Sequence, residues 1–225
     1  MTDIKKTYPD GAQALKGVNL EVQEGELFCL VGPSGCGKST LLKLISGFEK
    51  PTSGGVINSN NTSMVFQSGA LLPWLTVREN VAFGLKMTGQ STEKVSRYIE
   101  MVGLESFTKK YPRALSGGQR QRVGIARALS MDPELLLMDE PFSALDTITS
   151  DELHKDLLDI WKKENLTVIL VSHSIEEAVT LADRIAIMKQ GQIEKIVENP
   201  LERPRNIHSE AFLREVDKIK QLLET

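Results

Sequence analysis

The sequence predicts an α/β fold in which a core with parallel strands is interrupted by a helical subdomain. Three observations carry this expectation. A strand, a glycine loop and a helix follow one another between residues 27 and 48; the apolar periodicity turns helical from Thr76 to Leu129; a strand–helix–strand rhythm returns between Leu135 and Val171. Short apolar runs alternating with helices imply parallel strands. Because this pattern flanks the helical stretch, the expected organisation is one domain over 1–225. Residues 1–69 and 130–225 form its core and 70–129 its helical insertion, rather than two consecutive domains.

The elements follow in order. Leu27 to Val31 is an apolar run that stops at Gly32, and Lys38 to Phe48 shows helical spacing through Leu41, Leu42, Leu44 and Ile45. Pro51 to Gly55 is a turn cluster, Asn58-Ser59-Asn60-Asn61-Thr62 a polar loop, and Ser63 to Gln67 a strand. Thr76-Val77-Arg78-Glu79 has the form of a capping box, in which Thr76 accepts from the third helical amide and Glu79 reaches back. Thr92 to Val102 and Gln119 to Leu129 are amphipathic, the second opened by Gly117-Gly118. Leu135 to Met138 and Thr167 to Val171 read as strands around a helix from Ile148 to Glu164. Arg184 to Lys189 and Gln192 to Val197 flank Gln190-Gly191 as a hairpin. Pro200 and Pro204 mark a break before a terminal helix, Ser209 to Leu223, whose Phe212, Val216, Ile219 and Leu223 share one face for packing on the core. Only about 28 residues follow Val197, too few for another independent domain.

Composition bounds the function. The 225 residues, 40% hydrophobic and 25% charged, are ordinary for a globular chain that can bury a sizeable core. A net charge of -3 supplies no overall basic field for nucleic acid. Arg120, Arg122 and Arg127 read as a solvated or phosphate-facing helix surface. Cys29 and Cys36 have no metal-ligand companions, and the expectation is two free thiols. No apolar run approaches the roughly 18 residues of a membrane span. The start, Met1 to Lys6, lacks the apolar region of a signal peptide.

The chemistry begins at Gly32-Pro33-Ser34-Gly35-Cys36-Gly37-Lys38-Ser39, a phosphate-binding loop of the form G-x-x-x-x-G-K-[ST], followed by Thr40. Glycines let backbone amides turn toward phosphates, and the following helix aims its positive end at them. Lys38 suits the β- and γ-phosphates, and Ser39 a Mg²⁺ ion. Alone, the loop says that the chain binds a nucleoside triphosphate. Asp139 and Glu140 end an apolar strand on opposite sides. Asp139 suits the magnesium shell, and Glu140 a general base for the attacking water.

A second glycine segment, Leu115-Ser116-Gly117-Gly118-Gln119, stands about eighty residues downstream of the first, by the sequence, at a helix start that can hold an anion. With the phosphate loop, Gln67, Asp139-Glu140 and His173 in this order, it resembles the ATP-binding subunit of an ABC transporter over nearly the whole chain. The resemblance implies a P-loop NTPase, RecA-like core with a mixed sheet and an inserted helical subdomain. It also implies ATP hydrolysis with Mg²⁺ and a head-to-tail dimer of two copies, in which Ser116, Gly117, Gly118 and Gln119 close over ATP held by the partner.

Further residues take their expected roles from the family. Gln67 contacts Mg²⁺ and the lytic water, and His173 contacts the γ-phosphate. Tyr8 stacks on adenine. Ser143-Ala144-Leu145-Asp146 runs along the dimer interface. Leu71 to Val77 is apolar for a connection, and two readings stand: packing of the helical subdomain, or a groove for a short helix of a membrane partner. Leu71 through Leu85 resembles the nitrate/sulfonate/taurine importer subgroup. The implied partners are transmembrane permease subunits and, indirectly, an extracytoplasmic substrate-binding protein, with no nucleic acid. The implied location is peripheral, on the cytoplasmic face of the plasma membrane. The alternative is a soluble ABC ATPase acting on nucleic acid or ribosomes.

Overall fold

The computed structural model describes residues 1–56, 61–67 and 69–224. In chain order its elements are β1 (Thr2–Thr7), β2 (Gln13–Val18), β3 (Leu27–Val31), α1 (Lys38–Ile45), β4 (Ser53–Gly55), β5 (Thr62–Val65), α2 (Val77–Met87), α3 (Val95–Met101), α4 (Gly117–Leu129), β6 (Leu135–Asp139), α5 (Thr147–Glu164), β7 (Thr167–Ser172), α6 (Ile175–Leu181), β8 (Arg184–Lys189), β9 (Gln192–Glu198) and α7 (Glu210–Glu224). The expected α/β class is realised. The chain divides into two compact units, one from its two ends (Met1–Ser59 and Thr167–Thr225) and one from its middle (Asn60–Leu166).

In the unit of chain ends, β3 lies between β7 and β8 and is parallel to both, and β9 is antiparallel to β8. All five residues of β3 are buried. An unbroken apolar run is what a strand covered on both faces requires. β1 pairs antiparallel with β2 and β4 in a second, small sheet. α7 buries Phe212, Val216 and Ile219 and packs on α6 and β8.

In the middle unit β5 and β6 are parallel, with Val65 opposite Met138. α2, α3 and α4 pack on one another through Val81, Leu85, Ile99, Val123 and Leu129, all buried. The capping box expected at Thr76 is present in both halves.

Several elements differ from the sequence reading. α1 stops at Ile45, three residues before Phe48, because Gly47 turns left-handed (φ 77) and its amide closes on Leu44 O at 3.2 Å. Strands β1, β2 and β4 and helix α6 were not anticipated. The asparagine-rich loop falls largely on Asn58 to Asn60, outside the described residues. The arginines of α4 bond within their own unit, Arg120 while exposed and Arg122 and Arg127 half-buried. Arg120 donates to Leu115 O at 2.6 Å, Arg122 to Asp156 and to Val102 O, and Arg127 to Gly69 O and Ala70 O, both at 2.8 Å. Burial pulls the Arg127 pKa below its usual value.

Candidate functional site

The unit of chain ends carries the phosphate loop, Tyr8 and His173. β3 and β7 run in parallel with Val31 opposite Ser172, so Gly32 and His173 follow side by side at the carboxyl ends of neighbouring strands. That edge is where open α/β sheets place ligands. The loop folds against a fixed wall. A Cβ at Gly32 would stand 2.1 Å from Met188 O and 2.9 Å from Cys36 Sγ, so no larger residue fits. Gly191, in the β8–β9 turn, donates its amide to Cys36 O at 3.0 Å and accepts from the Lys16 amide at 2.9 Å, bracing the loop from behind.

Lys38 is buried, at 4% exposure, although it carries a charge. Its ammonium donates to Gly32 O at 2.7 Å and Pro33 O at 3.1 Å, with Cys36 Sγ at 3.8 Å. These acceptors hold the cation inside the loop. Helix α1 begins at Lys38 with Gly37 as its N-cap, a residue that brings no capping side chain. Both thiols are free and buried. Burial pushes the Cys29 thiol well up, the Glu177 carboxylate adding to the rise and Lys38 opposing it.

Tyr8 is half-buried. Its hydroxyl lies 3.4 Å from Thr40 Oγ1 and donates to Glu49 at 3.3 Å, and the Lys6 ammonium sits 5.1 Å from the ring centroid. Glu49 loses some solvation here, yet hydrogen bonds from Lys6 and Tyr8 and the charge of Lys43 hold its carboxyl below the usual range. His173 is exposed at the end of β7, and Ser174 after it caps α6.

The middle unit carries Gln67, Ser116 to Gln119, Asp139, Glu140 and Asp146. Parallel pairing of β5 and β6 brings Gln67 beside the acidic strand end. Its amide nitrogen donates to Ser143 Oγ at 3.0 Å and to Glu140 Oε2 at 3.4 Å. Ser143 in turn donates to Glu140 O at 3.0 Å. Glu140 has a left-handed backbone, φ 48, uncommon for a residue with a side chain. Ser143 is a participant the sequence reading named only as part of an interface loop. The signal for it was its position three residues after Glu140, the reach of a turn.

Ser116 caps α4 in a closed capping box: its hydroxyl accepts from Gln119 N at 3.2 Å, and Gln119 Oε1 accepts from Ser116 N at 3.0 Å. Since the hydroxyl accepts in this bond, its proton is left to donate. A Cβ at Gly118 would meet Thr149 Cγ2 at 2.4 Å, which explains the second glycine of the pair as a close approach to α5. Asp146 caps α5, accepting from Thr149 N at 3.0 Å and from the Thr149 hydroxyl at 2.8 Å. Those two donors hold its carboxyl below the usual range.

Next to Gln67 the middle unit has a groove of about 350 Å³ lined by Met64, Phe66, Ala70, Leu72, Phe83 and Met131 among others. Asn80, fully buried, holds the segment that borders it. Its side chain accepts from Leu72 N at 2.8 Å and donates to Leu72 O, Leu75 O and Thr76 O within 3.1 Å. Trp74, between these anchors, is 68% exposed. Thus the apolar connection is partly a packed segment and partly a groove wall. No helix among the described residues is long and apolar enough to cross a membrane.

Comparison with known proteins identifies the family. Residues 15–143, more than half of the chain, match the ABC transporter family. The nitrate import ATP-binding protein of Synechococcus elongatus is 45% identical over 90% of this chain and 81% of its own length. The aliphatic sulfonates import ATP-binding protein of Bacillus cereus is 44% identical over 94% of this chain and 89% of its own length. Among solved structures, an ATP-binding cassette described as dimeric, in a post-hydrolysis state bound to ADP and Pi, superposes with a TM-score of 0.80. It has 34% identity and covers 89% of this chain and 98% of that one.

Proposed function

From the premise that the chain belongs to the ABC transporter family as an ATP-binding, ATP-hydrolysing subunit, we propose that it powers import of a small anion through a separate permease. Nitrate, a sulfonate or taurine is the cargo class, by kinship with the nitrate and sulfonate import proteins. Those relatives are import subunits, which favours transport over action on nucleic acid. Two copies bind head to tail around two ATP molecules, a reading supported by the dimeric cassette bound to ADP and Pi. The chain works on the cytoplasmic face of the membrane, beside permease subunits and, through them, an extracytoplasmic substrate-binding protein.

The roles of the residues follow from their chemistry. The amides of Gly32 to Thr40 and the Lys38 ammonium take the phosphates, with phosphate oxygens replacing Gly32 O and Pro33 O as partners of Lys38. Tyr8 holds the base end, beside Thr40. Glu140 accepts the proton of the attacking water; Gln67, bonded to its carboxylate, orients both. His173 positions the γ-phosphate. Ser116, Gly117, Gly118 and Gln119 present their amides and the Ser116 hydroxyl to the ATP of the partner copy, and Asp146 keeps α5 in place along that interface. The groove beside Gln67 takes a short helix of the permease, so that events at the γ-phosphate reach the membrane through the segment pinned by Asn80. The stretch 70–129 acts as the helical subdomain that carries the Ser116 loop and part of the groove wall.

By donor type alone, the candidate residues suit Mg²⁺. Ser39, Gln67 and Asp139 offer a hydroxyl, an amide oxygen and a carboxylate, the donors a hard dication selects. No group of three or more His, Cys, Asp or Glu among the described residues forms a cage, so phosphates and water would supply the remaining ligands. When bound, the ion supplies charge neutralisation at the β- and γ-phosphates.

The observation that carries this reading is the buried Lys38, held in a loop whose Gly32 admits no side chain. The test is ATP turnover of the purified chain. Glu140→Gln should lower kcat by about 10²–10⁴-fold while nucleotide binding persists, and near-normal turnover would sink the assignment of Glu140. Affinity isolation from solubilised membranes should recover a polytopic permease. Recovery of ribosomal or nucleic-acid-processing proteins with no membrane protein would overturn the transport reading.

A further inference from the structure

Three helices open on the pattern Ser/Thr-x-x-Glu/Gln, and one of them closes differently. At α2 and α4 the reciprocal bond is direct: Thr76 N donates to Glu79 Oε2 at 2.8 Å, and Ser116 N to Gln119 Oε1 at 3.0 Å. α6 opens on Ser174-Ile175-Glu176-Glu177, and the forward half forms, with Glu177 N donating to Ser174 Oγ at 3.1 Å. The return half does not. Ser174 N donates instead to Ser172 Oγ at 2.9 Å, and the Ser172 hydroxyl donates to the Glu177 carboxylate. A serine is thus inserted into the box as a relay, and the residue it encloses is His173.

The insertion has a mechanical consequence. Ser172 is 1% exposed and fixed by its place opposite Val31 at the end of β7. The bond from Ser174 N to Ser172 Oγ spans His173, so the backbone on both sides of the imidazole is tied to one buried hydroxyl. That hydroxyl can accept from Ser174 only while its proton points elsewhere; Ser174 O, at 3.2 Å, and the Glu177 carboxylate are the acceptors in reach, and the charged one is the stronger. Resting on the reading of His173 as the residue that positions the γ-phosphate, we infer that Glu177, acting through Ser172, is a positioning residue for His173. It does not touch the nucleotide; it sets where the imidazole stands.

The test is a double-mutant cycle on the steady-state ATPase of the full chain. Glu177→Ala should lower kcat about tenfold to a hundredfold, the cost of small misplacements at a reacting centre, with KM for ATP nearly unchanged. Glu177→Gln should restore most of the loss, because its amide oxygen still accepts from Ser172. Added to His173→Ala, Glu177→Ala should lower kcat less than about twofold further, since residues acting as one unit are not additive. If Glu177→Ala does not fold, Ser172→Ala poses the same question with the same expected values. Undiminished kcat in Glu177→Ala, or losses that multiply in the double variant, would overturn the inference while leaving His173 in its role. Full turnover in His173→Ala would overturn both.

Discussion

Glu140 holds a left-handed backbone that a glycine would adopt at lower cost, by about 1 kcal/mol. Strain of this kind persists where the surroundings over-determine it. Here Ser143 closes on its carbonyl while Gln67 holds its carboxylate, so backbone and side chain are fixed from two sides. Gly32 is constrained by the opposite means, an absence of space. Met188 O belongs to the backbone of β8 and cannot swing aside from a Cβ placed 2.1 Å away. Gly32→Ala should therefore destabilise the chain by about 1–3 kcal/mol and displace the loop enough to abolish nucleotide binding. Urea unfolding and a nucleotide titration on the same preparation check both, and unchanged ATP affinity would contradict the close approach.

Among the elements, α6 shows how a short helix is held at both ends. Its last carbonyls are held by two side chains: Arg205 donates to Val179 O, Thr180 O and Ala182 O within 3.1 Å and to Leu201 O at 2.9 Å, and Asn199 donates to Val179 O at 2.9 Å and Ala182 O at 3.0 Å. Burial, with the neighbouring Arg203 charge, lowers the Arg205 pKa to about 10, still far above neutrality. Asn199 still holds Val179 O and Ala182 O when Arg205 is removed, so the loss falls on Thr180 O and Leu201 O, and Arg205→Ala should cost about 1–2 kcal/mol in urea unfolding. At α5, the Asp146 cap depends on its charge. Its folded-state carboxyl is depressed by the amide and hydroxyl of Thr149, so its contribution is present above the ordinary carboxylate value, about pH 4, and is lost as pH falls through the lower folded value. The Tm advantage of the parent over Asp146→Ala should be steady near neutrality and shrink on acidification below that value. Elements of this kind were unevenly legible in the sequence. β3, β6, β7 and β8 announced themselves because buried strands read as apolar runs, and β9, largely exposed, through the Gln190-Gly191 turn before it. β1 and β2 did not, because register shifts break the alternation: Leu15 and Val18 are both buried three residues apart, and only Ile4 is buried in β1. β4 buries nothing and read as a turn. The phosphate loop, Asp139-Glu140 and the Ser116 segment were legible because their spacing is set by local backbone geometry. The Ser172 relay was not, since Ser174-x-x-Glu177 predicts a direct box and only the fold shows the hydroxyl inserted into it.

For the molecule as a whole, the proposed dimer rests on a division of labour between two anion sites, and Ser116 allows the two to be separated. The residue has a structural task, capping α4, and a proposed functional one, donating to the ATP of the partner copy. Most substitutions would damage both. Aspartate should not, because it caps helices as well as serine does and its charge suits a helix N-terminus. Facing a γ-phosphate, the same charge is repulsive. Ser116→Asp should thus melt within a few degrees of the parent and bind ATP with similar affinity through its intact Lys38 loop. In the hydrolysis-deficient Glu140→Gln background, light scattering with ATP should show a doubling of mass, and adding Ser116→Asp should abolish it. Turnover of the single Ser116→Asp variant should fall with the dimer. An ATP-dependent dimer that survives Ser116→Asp would mean that the Ser116 segment caps α4 and nothing more, and the two copies would have to be joined by other surfaces. Loss of ATP affinity in the isolated variant would mean instead that both glycine segments serve a nucleotide within one subunit.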